Sequence, residues 1–435
     1  MRRIFYPTSP LFFTTNIFLS FPFSSRPGII DDIYFGVRMR IIHSLGHVVG
    51  GTLLIAGTTI GVGMLALPVV TGPGGFVPSA IIYLICWAFM LCTGLLLVEV
   101  SLWMPKDASF ISMADKILGP VGRGIFWVVY LFLFVTVMIA HASGGGAVLL
   151  DITGWNLPNW AAVAIYSAVL APIVYLGARS VDRINMFLIS GVVLCYLAFL
   201  AISFEHVDLE LLTYSNWGKA WYALPILFTA FTYQVIIPTL MTYMERNVKK
   251  VRLAIFFGSS IPLVIYLVWQ FVILGIIPAE GANGLIAAGE QGQNAIGPLK
   301  ELVPQVFQIG KYFAFFALTT SFIPLALSFF DFLADGFKWK KKGMSRVTLC
   351  ALVFGIPMII AIIYPNIFLV ALGYAGGISC AFLFGLMPPV LAWVGRYIKR
   401  YPQEGHQLPG GKVVLVCLMI FALLILAGEI LQQIL

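Results

Sequence analysis

Residues 52–70 form an apolar segment that is long enough to cross a lipid bilayer, which requires about 20 apolar residues. The segment also contains Gly57, Gly61 and Gly63, and each glycine destabilises a helix by about 1 kcal/mol relative to alanine. We therefore expect the helix to stop and restart between Gly57 and Gly63. Inside a membrane such a break persists only where the freed backbone groups are buried in protein or line a cavity. Close helix packing through Gly57 and Gly61 is the alternative explanation of the same residues.

The composition places the whole chain among the polytopic membrane proteins. Hydrophobic residues make up 60% of the chain, charged residues only 10%, and the mean hydropathy is +0.98, far from the averages of soluble proteins. The 6 cysteines lie in apolar segments without paired spacing, which indicates neither a disulfide framework nor a metal site. The sequence contains no nucleotide-binding motif, and we expect no cofactor and no nucleic-acid partner.

Hydropathy predicts an all-α fold with eleven transmembrane helices, which are called spans one to eleven below. Their approximate ranges are 48–70, 77–103, 124–148, 160–177, 184–204, 219–243, 252–278, 306–332, 346–364, 366–392 and 413–433. Residues 1–45 are expected to be a cytoplasmic extension without a functional role, and Met39 is an alternative start of the native chain.

The basic residues predict the orientation of these spans in the membrane. If the N-terminus is cytoplasmic, only Lys219, Lys300 and Lys311 of the 26 Lys and Arg residues fall on the outer side. Because cytoplasmic loops carry an excess of Lys and Arg, we expect the N-terminus inside and, after eleven spans, the C-terminus outside. The outer connection 279–305 is rich in glycine, and we expect a solvated loop there, with a surface helix or a lid as the alternative.

Span six contains a second interruption, because Pro225 and Pro238 lie near its ends with polar side chains between them. Interruptions in spans one and six indicate two halves of five helices, and an odd number of helices per half forces the second half to be inverted. Such paired interruptions indicate the binding site of a secondary transporter. We therefore expect residues 46–435 to form one transporter domain and not an enzyme. The two halves and the final helix are 48–204, 219–392 and 413–433.

Two motifs resemble those of a known family. The run AGTTIGVGMLALP at 56–68 resembles the first-helix signature of the bacterial aromatic amino acid permeases, the tyrosine and tryptophan proton symporters. The run FTAFTYQVIIPTL at 228–240 resembles their sixth-helix motif, and the similarity covers roughly 45–435. Within the family the chain is most similar to the tyrosine permeases. The resemblance implies the five-plus-five inverted repeat of the leucine transporters and amino acid uptake coupled to protons.

The break in span one offers groups that match the backbone of an amino acid. If the helix restarts near Gly61, its free N–H groups favour a carboxylate through their hydrogen atoms and the helix dipole. Threonine hydroxyls could add to this site, and unwound carbonyls near Gly57 and Phe231 could accept hydrogen bonds from the ammonium. The substrate-binding candidates in span one are Gly57, Thr58, Thr59, Gly61, Val62 and Gly63.

Span six supplies candidates for the side chain of the substrate. We expect the rings of Phe231 and Tyr233 to contact an aromatic substrate, and Thr232 or Gln234 to bind a phenol hydroxyl. A pocket that pairs a hydroxyl rejects an analogue without it more strongly than an apolar pocket can discriminate. Ordinary packing is the alternative role of these rings, since 14% of the chain is aromatic.

Ion coupling requires a group that binds and releases a cation, and ionisable residues inside a membrane are functional candidates by default. The proton-coupling candidates are Glu99 in span two and His141 in span three, with helix capping and structural hydrogen bonding as their respective alternatives. The hydroxyls of Thr320 and Ser321 in span eight could contribute to a sodium site. The sequence therefore leaves proton and sodium coupling open.

Together with these patterns, the resemblance implies an importer of an aromatic amino acid, with tyrosine favoured, that works by proton symport in the lipid bilayer of a bacterial inner membrane. A tryptophan or broad neutral amino acid symporter, coupled to protons or to sodium, is the alternative. An ion channel would need a filter-like motif, and a membrane enzyme would need clustered His, Asp or Glu residues. We find neither in the sequence.

Overall fold

The computed structural model of the protein describes residues 46–106, 108–402 and 407–434, and the structural statements below concern these residues. Ten helices in this part of the chain are long and apolar enough to cross a membrane. Two further helical pieces, Gly46–Thr59 and Val62–Gly74, are bent by 57° at a short break and together form one more span. The prediction of an all-α fold with eleven spans is confirmed, while the predicted extension 1–45 lies outside the described residues.

Most predicted spans agree closely with the observed helices. Spans two to five are Phe76–Leu102, Phe110–Thr153, Asn159–Leu176 and Ala178–Ser203. Span six consists of the short helices Leu224–Ala230 and Ile237–Tyr243. The next three spans and span eleven are Val248–Ile276, Pro304–Phe337, Gly343–Ile363 and Gly411–Ile434.

The break in span one lies where the glycines predict it. The second half of the span begins at Val62, and the preceding Gly61 is extended, with φ −171° and ψ −145°. The hydroxyls of Thr58 and Thr59 donate to carbonyls one turn earlier in the first half, at 2.7 and 2.8 Å. Such hydrogen bonds satisfy the hydroxyls inside an apolar helix and favour a bend in it.

Span six is interrupted between its two prolines, as the sequence predicts. Its first helix ends at Ala230, residues 231–233 are not helical, and a 3₁₀ turn over Gln234–Ile236 leads into the second helix. Pro225 and Pro238 each lie in the first turn of one of the short helices. Proline is favourable there because the first N–H groups of a helix have no intrahelical acceptor.

Spans three and ten depart from the predicted single helices. Span three starts before the predicted residue 124 and is bent at Gly119, whose φ of +79° glycine adopts without strain. Span ten, Phe368–Ile398, contains wide π-helical turns over Tyr374–Leu386 and Val394–Ile398. Hydropathy could not reveal these turns, because apolar composition does not determine the number of residues per turn.

The connection 279–305 packs against the protein, so the prediction of a solvated loop is wrong. The N–H of Ala295 donates to the carbonyl of Leu65 at 2.9 Å, and the Leu285 side chain fills the space beside Gly72. Leu285 and Ala295 are fully buried. The few apolar residues of this glycine-rich segment thus cover the second half of span one. Its helical pieces are Leu285–Glu290 and Leu299–Leu302.

Candidate functional site

The breaks of spans one and six are in direct contact. A Cβ atom on Gly63 would lie 2.8 Å from the Cβ and 2.9 Å from the Cα of Ala230, closer than real Cβ atoms approach other atoms. Glycine at position 63 therefore allows the two backbones to meet. The contact brings together the start of the second half of span one and the end of the first half of span six.

Tyr266 of span seven joins the two breaks, although it is not among the site residues predicted from the sequence. Its hydroxyl lies 2.8 Å from the carbonyl oxygen of Thr59 and 3.0 Å from that of Ala230. Thr59 and Ala230 are the last residues of the two first half-helices. In a continuous helix, each of these carbonyls would accept a hydrogen bond from an N–H group one turn later in the chain. The breaks remove those donors, and the hydroxyl of Tyr266 donates to the carbonyls in their place.

Phe231, the first residue after the helix in span six, lies within an aromatic cluster. Its ring packs edge-to-face against Tyr83 of span two, with centroids 6.2 Å apart, and against Tyr266, with centroids 5.3 Å apart. All three side chains are buried. The break in span six is therefore bordered by aromatic rings from two other spans.

A fully buried polar network also connects these spans beyond the breaks. The hydroxyl of Tyr83 donates to the Gln270 side-chain oxygen at 2.8 Å, and the Gln270 amide nitrogen donates to the Thr71 hydroxyl at 2.6 Å. Thr71 in turn donates to the carbonyl of Leu67 at 2.7 Å. The network joins the second half of span one to spans two and seven.

The predicted residues of span one border its break but differ in exposure. Gly57 and Thr58 are exposed, while Thr59, Val62 and Gly63 are buried. The first N–H groups of the half-helix that starts at Val62 have no intrahelical acceptor. These N–H groups and the carbonyl of Thr59 are therefore the backbone polar groups that the break frees from helical hydrogen bonding.

The predicted polar residues of span six contact span two or their own helix. Tyr233 donates its hydroxyl to the Met90 carbonyl at 3.1 Å. The amide nitrogen of Gln234 lies 3.2 Å from both the Met90 carbonyl and the Thr93 hydroxyl, and its side-chain oxygen accepts from the Tyr233 N–H at 3.0 Å. The Thr232 hydroxyl donates to the carbonyl one turn earlier, at 2.5 Å. These contacts fix the shape of the break, and a role in substrate binding stays a prediction.

Of the two predicted sodium-site residues, Ser321 lies at the break in span one. A Cβ on Gly61 would come within 2.6 Å of the Ser321 hydroxyl oxygen. Both Ser321 and its neighbour Thr320 donate to the carbonyl of Ala317 at 3.1 Å. No group of three or more His, Cys, Asp and Glu side chains that could hold a metal ion occurs within the described residues.

His141 is buried and contacts Phe322, the residue that follows Ser321. Its Nδ1 lies 2.8 Å from the Val137 carbonyl, and a carbonyl only accepts hydrogen bonds, so Nδ1 carries the proton. Nε2 then carries a lone pair, and it has no hydrogen-bond partner in the described part of the chain. The imidazole stacks on Phe322, with centroids 5.7 Å apart, and Phe322 follows Ser321 in span eight.

Glu99 forms a buried ion pair with Arg396 of span ten. The guanidinium donates two hydrogen bonds to the carboxylate, of 2.7 and 2.5 Å, and the two side chains are 4% and 2% exposed. The N–H of Leu408 also lies 3.4 Å from the carboxylate. Arg396 is not among the residues predicted from the sequence, because nothing local indicates a partner 297 positions away.

Three comparisons with relatives describe the chain as a whole. The tyrosine-specific transport system 1 of Haemophilus influenzae is 30% identical over 396 residues, which cover 88% of this chain and 96% of that protein. The tryptophan-specific transport protein of Pseudomonas aeruginosa is 28% identical over 388 residues, which cover 86% and 91%. The low affinity tryptophan permease of Escherichia coli is 29% identical over 398 residues, which cover 86% and 93%.

A solved structure and a family model extend these comparisons. The crystal structure of MhsT in complex with L-phenylalanine has a TM-score of 0.60 at 15% sequence identity, covering 88% of this chain and 97% of that one. This likeness shows the fold and confirms two inverted five-helix halves with broken spans one and six. The model of the tryptophan/tyrosine permease family matches residues 45–428. The chain therefore belongs to the tryptophan/tyrosine permease family, whose members are membrane transporters and not enzymes.

Proposed function

We propose that this multi-pass membrane protein imports an aromatic amino acid, with tyrosine preferred, by proton symport across a bacterial inner membrane. The proposed orientation has the N-terminus in the cytoplasm and the C-terminus outside. The observation that carries the proposal is the contact between the two broken helices, which brings together free N–H groups, carbonyls released from helical hydrogen bonding, and aromatic rings. The relatives named for tyrosine and tryptophan transport support the substrate class.

The backbone at the breaks suits both charged groups of an amino acid. The N–H groups of Gly61, Val62 and Gly63 bind the carboxylate, which the positive end of the half-helix dipole also favours. The carbonyls of Thr59 and Ala230 accept hydrogen bonds from the ammonium. No charged side chain is needed, since both charges of the substrate meet backbone dipoles of opposite sign.

The aromatic ring of the substrate packs beside Phe231 in this proposal. Phe231 already takes part in edge-to-face contacts with Tyr83 and Tyr266, an arrangement that stabilises aromatic pairs by about 0.5–1.5 kcal/mol. The half-buried Thr232 hydroxyl donates to the Phe228 carbonyl, so its oxygen can still accept from the phenol of tyrosine. Gln234, the other candidate for that role, is engaged with span two.

In this proposal, His141 and not Glu99 is the residue that binds the coupled proton. The Nε2 of His141 is buried with a free lone pair, and the ring contacts Phe322 next to the Ser321 hydroxyl at the break. A proton that arrives at Nε2 therefore adds charge close to the substrate site. The Glu99 carboxylate is already matched by the charge of Arg396.

Uptake of radiolabelled tyrosine into proteoliposomes tests the proposal, with an imposed pH gradient and an imposed sodium gradient in separate arms. We expect accumulation with the pH gradient, and competition by unlabelled tryptophan and phenylalanine but not by leucine. Accumulation with sodium alone would replace the proton by sodium and make Thr320 and Ser321 the coupling residues. Preferential uptake of tryptophan would make tryptophan the substrate in place of tyrosine. No uptake by correctly inserted protein would contradict the proposal.

A further inference from the structure

We propose that Tyr266 is a positioning residue of the substrate site, whose neutral hydroxyl takes the place of a cation between the two broken helices. This inference rests on the proposed function of the breaks as an amino acid site. The Tyr266 hydroxyl holds the carbonyl oxygens of Thr59 and Ala230 at one point, where they receive the ammonium of the substrate.

The electrostatics of the breaks create the need for such a group. The C-terminal end of a helix carries a partial negative charge, equivalent to about half an elementary charge, on its free carbonyls. Thr59 and Ala230 end two half-helices that meet at the Tyr266 hydroxyl, so two negative ends converge on one buried point. In broken-helix transporters a bound cation commonly occupies such a place. Here a phenol donor reduces the repulsion without adding a charge.

The hydroxyl of Tyr266 leaves the carbonyls able to bind the substrate. It has one proton to share between the oxygens of Thr59 and Ala230, and each carbonyl oxygen has two lone pairs. At least two lone pairs therefore remain for the hydrogen atoms of an ammonium group. Because the phenol is neutral, the ammonium of the substrate is the group that brings a positive charge to this point.

Several contacts hold the Tyr266 side chain in one position. The side chain is fully buried, and its ring packs edge-to-face against Phe231 at 5.3 Å between centroids. One turn later on span seven, Gln270 donates to the Thr71 hydroxyl and accepts from Tyr83. Span seven is thus joined to span one at two successive turns, which fixes the direction in which the Tyr266 hydroxyl points.

The inference predicts an effect on substrate affinity. Replacing Tyr266 with phenylalanine removes the oxygen atom and keeps the ring, so the carbonyls of Thr59 and Ala230 lose their shared donor. We expect the KM for tyrosine to rise about tenfold, as for the loss of one hydrogen bond, while the maximal rate per folded protein changes much less. Equilibrium binding of labelled tyrosine to the purified variant should weaken by a similar factor.

Two further variants of this protein complete the experiment. Incorporation of p-aminophenylalanine at position 266 keeps the shape of the side chain and restores N–H donors at the para position. Tyr196→Phe is the matched control, because the Tyr196 hydroxyl donates at 3.2 Å to the carbonyl of Ile265, the residue next to Tyr266, and contacts neither break. Melting temperature and size-exclusion profile confirm that each protein is folded before its KM is measured.

The inference predicts a raised KM for Tyr266→Phe, and a KM close to wild type for the p-aminophenylalanine protein and for Tyr196→Phe. An unchanged KM in Tyr266→Phe, or an equal rise in the p-aminophenylalanine protein, would overturn it. If Tyr266→Phe does not fold, the p-aminophenylalanine protein decides alone, with a wild-type KM supporting the inference and a raised KM contradicting it. Failure of the wild-type protein to bind or transport tyrosine would instead contradict the proposed function.

Discussion

Single residues at the breaks differ in how much of their role the sequence reveals. Gly61 and Gly63 indicate the break directly, because the cost of glycine in a helix is a local property of the backbone. The role of Tyr266 depends on Thr59, 207 positions away, and on Ala230, so no local pattern predicts it. His141 was found because an ionisable residue in an apolar span is rare, although its stacking on Phe322 could not be foreseen.

His141→Gln should separate substrate movement from proton coupling. A gradient of one pH unit stores about 1.4 kcal/mol per proton, enough for roughly tenfold accumulation of a substrate that is coupled to one proton. The amide of glutamine does not titrate in this range, so we expect the accumulation ratio to fall to about one. Exchange of labelled for unlabelled tyrosine at equal pH, which needs no net proton movement, should continue.

His206→Gln is the matched control for this experiment. The Nδ1 of His206 also lies close to a carbonyl one turn earlier, that of Ile202, at 3.0 Å, but His206 lies in a 3₁₀ turn after span five. We expect this variant to accumulate tyrosine as the wild type does. Full pH-driven accumulation by His141→Gln would exclude His141 as the coupling residue and return attention to Glu99.

At the scale of elements, the sequence predicted which helices are broken more reliably than how the pieces pack. Prolines and glycines act on their own helix, so the breaks in spans one and six were predictable. The packed outer connection 279–305 and the π-helical turns over Tyr374–Leu386 were not, because both depend on neighbouring elements. Gly376 illustrates the reason, since a Cβ there would clash with the Pro225 carbonyl oxygen of span six.

Gly63→Ala should disrupt the contact between spans one and six. The new Cβ would clash with Ala230, including its Cα at 2.9 Å, so the two half-helices must move apart. We expect a loss of about 1–3 kcal/mol in stability and a larger loss of tyrosine uptake. Gly355→Ala in span nine is the control, since its new Cβ would meet no atom within 4 Å. Wild-type uptake by Gly63→Ala would show that the breaks need not touch.

Arg396→Met should destabilise the contact between spans two and ten. The substitution leaves the Glu99 carboxylate buried without its charge partner, which costs about 3–5 kcal/mol. Thermal unfolding in detergent measures the loss, and the double variant Glu99→Gln with Arg396→Met should recover most of it. Breaking the exposed pair of Lys341 with Asp331, whose side chains are 44% and 49% exposed, should cost no more than about 1 kcal/mol. Equal losses for the two pairs would contradict the buried ion pair.

At the scale of the whole molecule, the charge distribution is the basis for the orientation. The exposed segment that connects spans eight and nine carries Lys338, Lys340, Lys341 and Lys342, as expected of a cytoplasmic connection. The number of spans and their order followed from hydropathy because the bilayer imposes length and polarity on each helix. The same constraint says little about which faces of the helices meet, and the proposed substrate site depends on those faces.

Cysteine labelling in a background free of the native cysteines tests the orientation. A cysteine at the exposed position Glu290, in the outer connection, should react with a membrane-impermeant maleimide in intact cells. A cysteine at Lys340 should react only after the membrane is permeabilised. The reverse pattern would invert the proposed topology.

The most direct test of the central claim is a structure of the protein with bound 3-iodotyrosine, with the iodine located by its anomalous scattering. We predict the iodine beside Phe231, with the amino group of the ligand at the carbonyls of Thr59 and Ala230. A structure with no ligand between the broken helices and the ligand bound elsewhere would contradict the account. The cavity of about 230 Å³ lined by Lys300 and Glu301 is one such alternative place.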